Sequence, residues 1–91
     1  MIASLIKSPK QGKRLRAVFK DGTHTDFGQA GGSTYIDHQD KAKRAAYIAR
    51  HQVRENFNDP KTAGALSRWI LWGDHTTLEA NLKAFNTRFK H

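Results

Sequence analysis

The sequence contains no cysteine. That excludes a disulfide staple, a thiolate nucleophile and any cysteine metal site. Acids are also scarce: 8 Asp and Glu stand against 16 Lys and Arg, a formal charge of +8 with histidine neutral. No run approaches the ~18 apolar residues that a membrane-spanning helix needs. The stretch from Met1 to Lys7 has no charged region before it and no cleavage-like site after it, so no secretory signal is expected. Large apolar side chains are few, because 11 of the 34 apolar residues are alanine. At 91 residues the chain makes one small domain, burying roughly 60% of its unfolded surface.

What is present is positive charge, unevenly placed. Lys7, Lys10, Lys13, Arg14, Arg16 and Lys20 precede the first acid, Asp21. A second acid-free run holds Lys41, Lys43, Arg44, Arg50 and Arg54. From Asn58 onward the charges nearly balance. Two such patches attract polyanions: nucleic acid, an acidic protein surface or anionic lipid. The plainer role of such charge is to keep a small protein soluble.

Pattern places the elements. Residues 1–13 read as a flexible basic arm, interrupted by Ser8-Pro9 and Gln11-Gly12. Leu15–Phe19 and Thr23–Phe27 read as strands joined at Asp21-Gly22, a strong hairpin signal. Gly28 to Ser33 reads as a loop, and Tyr35-Ile36 is a candidate short third strand. Asp37 is expected to cap a helix from His38 to about Phe57. On that helix Ala42, Ala46, Ala49, Val53 and Phe57 share the arc expected to face inward. Lys43, Tyr47, Arg50 and Arg54 form a neighbouring basic stripe.

Asp59-Pro60 then opens a buried helix over Lys61–Trp72, apolar around most of its circumference, with Gly73 as its stop. Trp69 and Trp72 are expected in the core. Thr76-x-x-Glu79 reads as a capping box for a last helix whose stripe is Leu78, Leu82, Phe85 and Phe89. The expected fold is α+β: an N-terminal hairpin packed on a three-helix C-terminal portion, with residues 14–91 as one domain.

Signals for catalysis are weak. The five histidines, His24, His38, His51, His75 and His91, show no i, i+4 pairing and no zinc-protease motif. No metal site and no cofactor are expected. Asp21, Asp26, Asp37, Asp59 and Asp74 are assigned to turns, strand ends or caps, which leaves no acid pair for proton transfer. A catalytic alternative would need His51 to converge with Asp26 or Asp37 in a cleft. There is no seryl nucleophile elbow. The Gly28-x-x-Gly31-Gly32 loop has no Gly-Lys-Ser/Thr sequence, and the next helix is expected to start several residues later, so a phosphate loop is not expected.

Several segments carry a resemblance: Arg16-Ala-Val-Phe-Lys-Asp-Gly22, Thr25-Asp-Phe-Gly28, His38-Gln-Asp-Lys-Ala-Lys-Arg44, Tyr47-Ile-Ala-Arg-His51, Asp59-Pro-Lys-Thr-Ala-Gly-Ala-Leu-Ser-Arg-Trp-Ile-Leu-Trp72, Thr77-Leu-Glu79 and Arg88-Phe89. In this order they resemble the small, basic, uncharacterised proteins of large double-stranded DNA viruses, including giant algal and amoebal viruses and some phages. The resemblance implies a viral protein of the virion or the infected host cell, and it brings no catalytic residues.

The resulting expectation is a non-enzymatic, virion-associated, minor-capsid type protein that binds a capsid or other virion protein, or DNA. The alternative is a nucleic-acid-binding accessory protein acting during infection. Either would use Lys7, Lys10, Lys13, Arg14, Arg16, Lys43, Tyr47, Arg50 and Arg54, with Tyr47 offering a stacking face to a base.

Overall fold

The computed structural model describes residues 1–90, so His91 lies outside the described residues. Its elements run β1 (Ile2–Lys7), β2 (Lys13–Phe19), β3 (His24–Gln29), α1 (Tyr35–His38), α2 (Lys41–His51), α3 (Ala63–Leu66) and α4 (Leu78–Arg88). A π-helical turn, Ser67–Leu71, continues α3. The three strands form one antiparallel sheet in the order β1-β2-β3, followed by the helices. The fold is α+β.

The hairpin forms where the sequence places it. Gly22 takes φ +88°, a left-handed conformation that glycine adopts at no steric cost. Asp21 braces the turn by accepting from the Thr23 N–H at 3.0 Å and the Thr23 hydroxyl at 2.6 Å. Leu15, Ala17 and Phe19 point from β2 toward the helices, with Phe27 opposite Leu15 on β3.

The expected flexible arm is instead an edge strand. Simple alternation would put Ile2, Ser4 and Ile6 on one face. An irregularity between Ile2 and Ser4 shifts the phase. Ile2 and Leu5 therefore turn toward the core, and Ile6 remains 46% exposed. The strand is tied at both ends. Ile2 exchanges two hydrogen bonds with the Asn86 amide of α4, at 2.8 and 3.1 Å. Ser8 donates its hydroxyl to Asp26 at 2.7 Å.

The long helix expected from His38 to Phe57 is broken. Tyr35-Ile36 lies in α1, not in a third strand. Asp37 is not an N-cap: Thr34 caps α1, and Asp37 bonds back to the Thr34 N–H at 2.8 Å in a capping box. Gln39 then takes φ 57°, which ends the helical path. Asp40 restarts it by accepting from the N–H groups of Ala42 at 2.9 Å and Lys43 at 3.1 Å. The inward face also differs. Arg44, Tyr47, Ile48 and His51 are the half-buried positions of α2, whereas Ala42, Ala46 and Ala49 are exposed. Burial gain scales with apolar area, so the tyrosine and isoleucine outweigh the alanines. Val53, past the helix end, is 78% exposed.

The apolar segment is central, as its composition requires. Leu66, Ile70 and Leu71 are buried in one cluster with Phe19, Phe27, Phe85 and Phe89, and Ala65 is buried as well. Its cap is Thr62, which accepts from the Ala65 N–H at 3.2 Å, while Asp59 sits in the preceding turn. Trp69 and Trp72 are half-buried against the core. The last helix begins one residue later than expected, with Thr77 accepting from the Ala80 N–H at 3.2 Å. On its inner face Asn81 is fully buried. It holds the loop before it through bonds to Ile70 and His75.

Candidate functional site

The basic side chains divide into those engaged within the fold and those left in solvent. Arg14 grips Asp37 with two nitrogens, at 2.7 and 2.9 Å. Arg16 pairs with Asp26 directly across the β2–β3 ladder, at 2.9 and 3.2 Å. Both carboxyls respond. Arg16, aided by the Ser8 hydroxyl, holds Asp26 down at about 2. Arg14 holds Asp37 well below the usual carboxylate range. These two arginines, expected to meet a polyanion, are therefore committed to joining strands and helix α1.

Lys7, at the end of β1, and Lys10, in the following turn, are exposed, and Lys13 is half-buried at the start of β2. Lys43 and Arg50 are exposed on α2, and Arg54 is exposed just beyond it. None of these six has a carboxylate within 4.0 Å among the described residues. Lys41 and Lys20 join the same exposed set.

Tyr47 departs from its expected role. Its ring stacks on Trp72, with centroids 4.3 Å apart and planes 4° apart. It also stacks on His51, at 4.2 Å and 28°. Two near-parallel rings at that spacing cannot share one face, so both faces of Tyr47 are covered. Burial pushes its hydroxyl up to about 12, with the Glu55 carboxylate adding to the rise. Tyr47 organises the site and does not offer a free stacking face.

That stack forms one wall of a cleft of about 450 Å³ between the α2 end, the α3 segment and the loop after β3. Lys13, Ser33, Thr34, Ser67 and Glu55 bring polar atoms to it. Glu55 plays no part in the sequence reading. It follows α2 and reaches back to His51, with Oε2 3.7 Å from Nδ1. Its Oε2 is shielded from solvent and has no hydrogen-bond partner. Gly64 makes room for it, since a Cβ there would lie 2.5 Å from the carboxylate. The i, i+4 spacing of His51 and Glu55 was the available signal.

The acids expected for a catalytic alternative do not reach His51: Asp26 binds Arg16 and Ser8, and Asp37 binds Arg14 and Thr34. No group of three His, Asp or Glu side chains is gathered for a metal among the described residues. No described helix is long and apolar enough to cross a membrane.

Arg44 is a further residue the sequence left without a role. It points inward and donates Nε to the carbonyls of Trp72 at 3.1 Å and Gly73 at 2.9 Å, while Nη2 bonds Asp74. These bonds pin α2 to the end of the π-helical turn, which is why α2 presents its other side to solvent.

Residues 3–51, the sheet together with α1 and α2, match a family of unknown function, DUF5754. The chain belongs to this family. A relative, an uncharacterised protein of Acanthamoeba polyphaga mimivirus, is 40% identical over 76 residues, covering 72% of this chain and 76% of the relative. That relative agrees with the resemblance to proteins of giant amoebal viruses. No solved structure matches the chain. The matched DUF5754 region contains Lys7, Lys10, Lys13, Lys43 and Arg50, and also the Arg14–Asp37 and Arg16–Asp26 pairs.

Proposed function

We propose that this chain is a small, non-enzymatic, virion-associated viral protein that binds a polyanion through its unpaired basic side chains. The polyanion is the phosphate backbone of DNA or an acidic face of a capsid or other virion protein. One observation carries the reading: the fold spends its acids internally and leaves its excess cations outside. Asp21, Asp26, Asp37 and Asp74 each hold one Lys or Arg, and Asp40 caps α2. The exposed cations of α2 and the β1–β2 turn are left without partners among the described residues.

Such a surface steers toward negative charge and contacts phosphates without reading sequence. Binding of the purified protein to a labelled duplex and a single strand across a salt series tests the proposal. Submicromolar binding that weakens log-linearly with salt supports DNA as the partner. No binding at low salt points to an acidic protein face. Mass spectrometry of nuclease-treated particles tests virion association, and absence of the protein from them contradicts it.

A further inference from the structure

A second basic site lies in the C-terminal portion, where the sequence charges nearly balance. Trp69 sits between two arginines. The guanidinium carbon of Arg88 is 3.7 Å from the ring centroid, and that of Arg68 is 4.1 Å away. The indole N–H is already used, donating to the Phe57 carbonyl at 2.7 Å. Guanidiniums this close cover the ring and leave it unsuited to base stacking. A stacked guanidinium still keeps its in-plane N–H donors free at its edge. Arg68 uses one of them on the Trp72 carbonyl at 3.1 Å.

Arg88 and Trp69 line a cleft of about 750 Å³, together with Lys83, Thr87 and His75. Arg68, Lys83 and Arg88 have no carboxylate within 4.0 Å among the described residues. Asp74 also lines the cleft, but Arg44 already binds it. Burial and the neighbouring Arg44 and Arg88 hold the Arg68 guanidinium below its ordinary value. Arg68 is half-buried, while Arg88 and Lys83 are exposed at the cleft rim, and a bound anion would relieve the repulsion between the arginines.

We propose that Arg88 and Lys83, backed by Arg68 across Trp69, bind a phosphate group, either free phosphate or a terminal phosphate monoester. Arg88 supplies a planar fork suited to two phosphate oxygens and Lys83 a point charge, while the Thr87 hydroxyl is spent on the Lys83 carbonyl at 3.0 Å. This site is separate from the α2 surface and goes beyond the function proposed for it.

The test follows the Trp69 indole N–H resonance, identified by its loss in Trp69→Phe, during titration of the full chain with sodium phosphate at constant ionic strength. A saturable shift is expected. Arg88→Gln should weaken it by about tenfold or more, with Lys83→Gln as a second variant should Arg88→Gln fail to fold. A variant carrying Lys43→Gln, Arg50→Gln and Arg54→Gln should bind phosphate as the parent does, so failure of the duplex proposal and failure of this one are distinguishable.

Competition by a 5′-phosphorylated oligothymidylate, but not its 5′-hydroxyl form, would identify a nucleic-acid end as the source. Competition by neither would identify free phosphate. No saturable shift, an equal shift with chloride, or unchanged binding in both Arg88→Gln and Lys83→Gln would overturn the site.

Discussion

Replacing Asn81 with alanine should remove the hydrogen bonds of the most deeply buried polar side chain among the described residues. The side chain is fully buried. Its amide donates to the Ile70 carbonyl at 2.8 Å and the His75 carbonyl at 2.9 Å, and its oxygen accepts from the His75 N–H at 2.9 Å. Each bond contributes about 1 kcal/mol net, and a buried group left unpaired costs ~1–3 kcal/mol. The His75 groups lie near the surface and can turn to water, whereas the bond to Ile70 is buried. The expected loss is therefore about 3 kcal/mol, a large share of the ~5–15 kcal/mol that stabilises a typical domain.

Urea unfolding followed by circular dichroism should show a lower midpoint with an unchanged slope. Asn81→Asp should cost more than Asn81→Ala, because it turns a carboxylate oxygen toward two carbonyls. A loss below about 1 kcal/mol for alanine, or an aspartate tolerated as well as alanine, would refute this reasoning.

Other substitutions test other parts of the account. Gly73→Ala should destabilise by ~1–3 kcal/mol, because its Cβ would lie 2.3 Å from the Trp69 carbonyl oxygen, a backbone atom. Gly64→Ala should cost less in the same urea assay, because the Glu55 carboxylate it meets can swing away. Tyr47 should titrate near 12 in a phenolate absorbance experiment, and lower in Glu55→Gln. The sign is that of a raised acid: stability from the neutral phenol is full below the unfolded value of about 10 and is lost as pH rises toward the folded one. Asp37 is lowered by Arg14, so its contribution is present above about pH 4 and lost as pH falls through the folded value. In Asp37→Asn that part of the acid dependence should vanish from stability-versus-pH curves.

The hairpin, the buried Leu66–Leu71 segment and the inward stripe of α4 were legible because local chemistry and burial agree there. Asp21-Gly22 forms the turn its residues favour, and Leu66, Ile70 and Leu71 have no polar face to offer. The errors lie where a single residue resets the phase. The irregularity after Ile2 hides an edge strand from an alternation argument, and the left-handed Gln39 splits one helix into two. Where two caps compete, Thr62 displaces Asp59 and Thr77 displaces Thr76, a choice made by packing downstream.

The basic surface was only half legible. Lys43, Arg50 and Arg54 are exposed, as a charged stripe should be. The commitment of Arg14 and Arg16 to Asp37 and Asp26 depends on strand pairing and on the position of α1. Glu55, Arg44 and the Arg68–Trp69–Arg88 arrangement depend on which elements meet, and periodicity along one element does not contain that information.

The most direct test of the central claim is the salt dependence of duplex binding, compared between the parent and the variant carrying Lys43→Gln, Arg50→Gln and Arg54→Gln. Each phosphate contact contributes about 0.9 to the slope of log affinity against log salt. The account predicts a steep slope for the parent and one reduced by about 2 to 3 in the variant. Equal slopes, with duplex binding intact, would contradict the claim that this exposed basic face meets the polyanion.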